Sequence, residues 1–288
     1  MVSSHAEGRK PKQEYDMSKA AENLHRVDPV WSTIREEANG LAEREPALSG
    51  FLHATILNFE ALEIAIASHL SEKLANSEIG ARTLCEVFEE AFASNDKFST
   101  QVRADIVANF DRDPACRAHL DPVLYYKGFL ALQTYRAAHW LINNGRRGMA
   151  LYLQNRASEV FQTDIHPAAQ IGQGIFIDHA TGVVIGETAV VGDDVSMLHG
   201  VTLGGSGKED GDRHPKIGNG VLISVGAKVL GNIRVGDCAK IGGGSVVLTD
   251  VPAYTTAVGV PAKIVGKVSG PEPSRQMDHR LGEDGEAI

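Results

Sequence analysis

Aliphatic residues recur every six positions through the C-terminal part of this chain. Ile165, Ile171 and Ile177 are six apart; so are Ile185, Val191, Met197 and Leu203; so are Ile217, Ile223, Val229, Val235, Ile241 and Val247. The residue that follows is usually small or polar, often glycine, as in IGQGIF, IGETAV, VGDDVS, IGNGVL, VGDCAK and IGGGSV. A period of six fits neither the 3.6 of a helix nor the 2 of an ordinary strand. Self-similarity at a short fixed period marks a parallel β-helix, in which each short strand turns one aliphatic residue inward and each corner needs a small residue. Thirteen such positions in three phased blocks constrain the fold more than any other feature of the chain.

The phase breaks twice. Ile177 to Ile185 spans eight residues and Leu203 to Ile217 fourteen, each read as two more than whole hexads. Stacked strands cannot absorb an insertion, so each must bulge at a corner. The first bulge carries Asp178 and His179; the second, within GGSGKEDGDRHPK, carries Arg213 and His214. Functional side chains concentrate on loops projected from rigid scaffolds, so the site is expected here. His199 follows Met197 by two residues as His179 follows Ile177, which predicts two imidazoles stacked on neighbouring coils, roughly 5 Å apart by strand spacing.

Before residue 160 the pattern is helical. Asp28-Pro29 opens one segment, with Asp as cap and Pro in the first turn. After Ser49, a single stripe of Leu52, Ile56, Phe59, Leu62, Ile66 and Leu70 is expected to form one longer helix. Asp121-Pro122 opens another that stops at Asn143-Asn144-Gly145. These stripes read as core packing and helix association, and His119, His139 and His166 as structural. The predicted organisation is α+β in two domains: a disordered segment 1–20, an all-α domain 21–160, a parallel β-helix 161–268 and a flexible tail 269–288.

The formal charge of -9 argues against nucleic-acid partners and anionic membranes, which require a basic face. No apolar run is long enough to span a bilayer, and the polar first twenty residues lack a signal core. Cys85, Cys116 and Cys238 are odd in number and widely spaced, which favours a reducing cytoplasm over a disulfide framework.

The stretches IHPAAQIG, IDHATGVVIGE, VTLGGSGK, GDRHPKIG, AKIGGGSVVL and VGVPAKIVG closely resemble the bacterial serine acetyltransferases. The likeness reaches back through LQNRASEVFQTDIHP, KGFLALQTYRAAHWL and DRDPACRAHL, over roughly residues 28 to 268. Hexads alone indicate only an acyltransferase superfamily; DHATG together with GDRHPKIG is more specific. The resemblance implies a left-handed β-helix and a homo-hexamer built as a dimer of trimers. It implies acetyl transfer from acetyl-CoA to the L-serine hydroxyl, the first step of L-cysteine synthesis, inhibited by cysteine. It makes His179 the general base and Asp164 the carboxylate that orients it. Asp113 and Asp178 meet the substrate ammonium, Arg213 and His214 its carboxylate, with Glu187 in support. Sites between neighbouring subunits would bring His179 and His214 together across a boundary.

For the acetyl-CoA co-substrate, Gly204, Gly205, Ser206 and Gly243 are candidates to line the pantetheine arm, because small residues expose backbone. Lys240 is the candidate for the nucleotide phosphates. Lys208 is followed by Glu209, so the glycine-rich loop is not a Walker A loop. No metal is expected. Two alternatives share the scaffold: an O-acetyltransferase acting on a sugar, and a γ-carbonic-anhydrase-like enzyme holding zinc through His179, His199 and His214. The tail ends in Ile288, whose free carboxylate suits capture by a terminus-reading pocket. In the family this end enters O-acetylserine sulfhydrylase.

Overall fold

The computed structural model describes residues 28–207, 210–268, 270 and 272–280. The expected disordered segment 1–20 and the terminal Ile288 lie outside the described residues.

Eight helices lead the described chain, separated by short breaks. Helix α1 (Pro29–Arg44) starts where Asp28 accepts a hydrogen bond from Trp31 N at 3.2 Å, and Pro29 occupies the first turn. The stripe expected as one helix is broken. It forms α2 (Pro46–Leu52), a π-helical turn (His53–Leu57) and α3 (Leu62–Leu74). Its Leu52, Ile56, Leu62, Ile66 and Leu70 are nonetheless buried in one core, so the stripe reports burial correctly and continuity wrongly. Helices α4 (Ala81–Ala93) and α5 (Phe98–Arg112) follow. The segment opened by Asp121-Pro122 also divides, into α6 (Leu120–Tyr125) and α7 (Lys127–Asn143), with Tyr126 extended between them. Helix α7 ends at the Asn143-Asn144-Gly145 signal, where Gly145 takes φ +76°. Helix α8 (Arg147–Phe161) closes the domain, ending on Gln162 in the left-handed region.

From Thr163 the chain winds into a parallel β-helix with three faces. Parallel pairing places Ile165 beside Ile185, Ile185 beside Leu203, Leu203 beside Val229 and Val229 beside Val247 on the first face. Ile171, Val191, Ile217 and Val235 stack on the second face, and Ile177, Met197, Ile223 and Ile241 on the third. All thirteen hexad residues are buried. The pairing also corrects the size of the second insertion. Leu203 pairs with Val229, 26 residues on, where an uninterrupted coil takes 18, as from Ile185 to Leu203. Leu203 and Ile217 are therefore on consecutive faces, and the loop between them exceeds its hexad by eight residues, not two.

The helical domain is pinned onto the first coil. Asp105 of α5 is fully buried. Its Oδ1 accepts from Ile175 N at 3.0 Å, and its Oδ2 accepts from Arg136 Nη2 at 2.7 Å and Gln133 Nε2 at 3.1 Å, both on α7. Arg136 also donates to the Gly172 carbonyl at 2.8 Å.

Within the segment read as a flexible tail, residues 272–280 pack on the β-helix. A short helix (Pro273–Gln276) lies against the third face. Ser196 Oγ donates to Ser274 O at 2.7 Å, and Ser224 Oγ lies 3.1 Å from His279 Nδ1. No helix among the described residues is long and apolar enough to cross a membrane.

Candidate active site

The first bulge is a strained corner. His179 and Ala180 take φ +55° and +56°, in a region that side chains other than glycine rarely adopt. The strain is held from several sides. Thr163 Oγ1 donates to the Ala180 carbonyl at 3.3 Å, and Gly182 N donates to Gln162 O, the cap of α8, at 2.8 Å. Lys127, the first residue of α7, donates to Thr181 Oγ1. Beside it a Cβ at Gly128 would overlap the Ile177 carbonyl oxygen, so only glycine lets α7 approach this strand. The corner turns the His179 imidazole outward, with its side chain 73% exposed.

A cavity of about 400 Å³ opens beside it. The helical domain supplies Asp113, Ala115, Tyr125, Tyr126, Lys127 and Gly128; the β-helix supplies Phe176 to His179. Asp113 follows the end of α5, and its Oδ1 also accepts from Ala115 N at 2.8 Å, so it serves both as a local turn former and as a wall of the cavity. Burial pushes the Asp178 carboxyl above its usual range, and the Asp113 charge adds to this, against the pull of His179 and His199. Two carboxylates facing one cavity, one of them already destabilised as an anion, suit a cation. Burial and the neighbouring Cys116 and Asp113 raise the Tyr126 hydroxyl, which keeps it a protonated donor.

Asp164 is not joined to His179 by any hydrogen bond or ion pair within the chain. Its Oδ1 accepts from Gln154 Nε2 of α8 at 2.7 Å. The carboxylate near the imidazole is Asp178, whose Oδ1 lies 3.7 Å from His179 Nε2, beyond a direct hydrogen bond.

A second cluster occupies a different corner, between the first and second faces. Arg213 Nη2 donates to Glu187 Oε2 at 2.8 Å, which holds the Glu187 carboxyl below its usual range. His214 is 7% exposed, and a Cβ at Gly186 would overlap its ring. Burial holds His214 below the ordinary imidazole range, with Arg213 acting in the same direction. His166 belongs to this corner too, its protonation disfavoured by burial and favoured by Glu187 and Asp164. A whole face of the prism separates this cluster from His179, so one chain does not bring the two together. Among the described residues no three His, Cys, Asp or Glu side chains form a metal-ligand group within the chain.

Of the residues singled out for the acyl donor, Gly204 packs tightly: a Cβ there would come within 3.0 Å of Leu230 Cδ2. Gly205 lies beside Arg213, Ser206 is exposed, and Gly243 lies against Val225. Lys240 has a partner within the chain. It is buried on the third face, and its ammonium donates to the Arg280 carbonyl under the C-terminal segment. It meets backbone there and not open solvent, because the segment read as a flexible tail folds over it. Sequence reasoning missed Thr188, Gly186, Gly128, Lys127 and Tyr126, all of which act through contacts between distant segments.

Residues 30–134 match the family described as serine acetyltransferase, N-terminal. A serine acetyltransferase of Salmonella typhimurium is 54% identical over 255 residues, covering 88% of this chain and 93% of that one. The chain belongs to the serine acetyltransferase family. Its fold agrees with solved members. The serine acetyltransferase of Brucella abortus in complex with coenzyme A gives a TM-score of 0.84 at 55% identity, over 85% of this chain and 98% of that one. A serine acetyltransferase in complex with cysteine gives 0.86 at 53% identity, over 88% and 98%. The family is one of acyltransferases, and the helical wall of the cavity, including Asp113, falls inside the matched N-terminal region.

Proposed function

We propose that this chain transfers acetyl from acetyl-CoA to the hydroxyl of L-serine, giving O-acetyl-L-serine and CoA. The observation that carries the reading is the outward-turned His179 beside a cavity walled by Asp113 and Asp178. Two carboxylates receive the ammonium of an amino acid. His179 takes the hydroxyl proton as the serine oxygen attacks the thioester carbonyl; the C–S bond then breaks, and the proton passes to the departing thiolate. Arg213 and His214 receive the substrate carboxylate, with Glu187 aligning Arg213. Gly204, Gly205, Ser206 and Gly243 line the path of the pantetheine arm. Lys240 reaches the nucleotide phosphates when the segment over it lifts.

His179 and the Arg213–His214 cluster occupy different corners, so the complete site forms between adjacent subunits of a trimer, two trimers making the hexamer. Asp164 is read as the carboxylate that orients the base in that assembly. Cysteine has the same zwitterion as serine, and the relative solved with cysteine supports its role as a feedback inhibitor at this site. The three cysteines are unpaired, in keeping with a cytoplasmic enzyme. The C-terminal Ile288 is read as the anchor for O-acetylserine sulfhydrylase.

The test is thiol release from acetyl-CoA by the purified protein with L-serine, with a galactoside, or with no acceptor. Serine-dependent release, reduced roughly 10²–10⁴-fold in kcat by His179→Ala and suppressed by cysteine, is expected. Release with the sugar but not with serine would move the acceptor to a sugar hydroxyl.

A further inference from the structure

His214 receives its orientation from one residue, Thr188, which follows Glu187 one coil earlier. The Thr188 backbone N–H points at His214 Nδ1 across 3.2 Å. The Thr188 hydroxyl oxygen lies 2.9 Å from the same nitrogen. That oxygen also accepts the backbone N–H groups of Arg213 at 3.0 Å and His214 at 3.1 Å. A hydroxyl has two lone pairs and one hydrogen. With both lone pairs occupied, its hydrogen is left for Nδ1. The nearby Asp212, held by Lys216, competes for that hydrogen. The backbone amide of Thr188 settles the outcome, because an amide N–H can only donate. Nδ1 is therefore an acceptor, and a neutral imidazole that accepts at Nδ1 carries its proton on Nε2. Nε2 has no hydrogen-bond partner among the described residues, and it lies against Gly186, where a Cβ would overlap it.

We propose that Thr188 is a positioning residue that locks His214 as the neutral Nε2–H tautomer, so that His214 serves acyl transfer as a hydrogen-bond donor and neither as a cation nor as a base. The proposal rests on the reading of His214 as a substrate-facing residue. Its surroundings agree with it. Burial, Arg213, Lys216 and His166 all oppose a charge on His214, against the pull of Glu187. Arg213 and Glu187 already form an ion pair at the mouth of the cluster, so adjacent residues supply different tools: a permanent cation and a neutral donor of fixed direction. A protonated Nδ1 would face two donors with no acceptor.

The experiment uses the full-length enzyme labelled with 15N-histidine, with the His214 resonance identified by its loss in His214→Gln. The expected result is an Nε2–H tautomer at neutral pH. An Nδ1–H tautomer or an imidazolium at that pH overturns the proposal without recourse to any Thr188 variant. Kinetics supply the second readout. Thr188→Val keeps the amide but removes the hydroxyl. It is expected to lower kcat/KM for L-serine about five- to tenfold and to move the acidic limb of its pH profile up by roughly half to one unit, since Nδ1 has lost a donor. Thr188→Ser restores the hydroxyl and is expected to restore both. A serine variant as impaired as the valine one, or a valine variant with an unmoved acidic limb, overturns the positioning role. His214→Gln at full activity overturns the site assignment itself, and does so whichever tautomer the spectrum shows.

Discussion

His179 and His199 stand edge to face on successive coils, their ring centroids 5.7 Å apart and their planes at 79°. The exposed His179 imidazole therefore has one aromatic neighbour that limits where its ring can swing. An edge-to-face pair is worth roughly 0.5–1.5 kcal/mol beyond its buried area. His199→Ala is expected to lower kcat about two- to tenfold, by that energy. His199→Phe keeps a ring in place and is expected to retain most of the rate. Steady-state kinetics with L-serine decide it: equal losses in both variants would mean that the imidazole chemistry of His199, and not its shape, is what counts.

This pair was legible in the sequence because the hexad counts residues around the coil, and Ile177 and Met197 do pair in register. The same counting failed at the second insertion. A gap of fourteen residues is two hexads plus two or one hexad plus eight, and a period of six cannot tell these apart. Only the pairing of Leu203 with Val229 does. The helical stripes located buried residues but not helix ends, since a π-helical turn and a break over residues 58–61 keep the burial while interrupting the helix. Lys240 and Thr188 were illegible for a different reason. Their roles depend on which distant segment folds onto them, the C-terminal segment in one case and the long corner loop in the other.

Two glycines gauge how closely the site is built. Gly128 sits at the start of α7 against the Ile177 carbonyl, and Gly186 sits under the His214 ring. Gly128→Ala meets rigid backbone, so α7 and the His179 strand must separate. It is expected to cost more than 1–3 kcal/mol of stability, the usual range for overpacking, along with most of the activity. Gly186→Ala meets a side-chain ring and not backbone, and pushes His214 out of its Thr188 contacts. It is expected to lower the melting temperature less than Gly128→Ala does and to raise KM for L-serine at least fivefold. Thermal unfolding and serine titration on both variants check this; a stable, active Gly128→Ala enzyme would refute the close approach.

The clamp between the two domains is built on a buried ion pair of the helical domain, each member of which also bonds the first coil. Arg136 and Asp105 meet at 2.7 Å with side chains 2% and 0% exposed. Asp105 also receives Ile175 N, two residues before Ile177 and three before Asp178. Removing one partner of a buried pair leaves the other charge stranded, at a cost of about 3–5 kcal/mol. Asp105→Asn is expected to lower the melting temperature by roughly 6–20 °C. Because the clamp sets how Asp113 and Asp178 face each other, KM for L-serine is expected to rise in the folded fraction. Calorimetry and kinetics below the transition test both; a shift under about 2 °C would show that the pair contributes little.

The helical core carries its own pH dependence through His69. The ring is buried on α3, with Nε2 donating to the Leu124 carbonyl at 3.2 Å and Phe51 packed at a ring distance of 6.1 Å. Burial, with the neighbouring Lys73 charge adding to it, lowers its pKa from 6.5 to about 4. In the unfolded chain this histidine binds a proton near pH 6.5. Between that pH and about 4 the unfolded state holds the extra proton, so stability falls as the pH falls and is fully recovered above the unfolded pKa. From pH 7 to 4.5 the loss attributable to His69 comes to about 2–3 kcal/mol. His69→Gln keeps a donor for Leu124 but cannot titrate there. Denaturant unfolding of both proteins across this range should show the wild type losing that much more than the variant. Parallel curves would mean that His69 is protonated as readily in the folded protein as in the unfolded one.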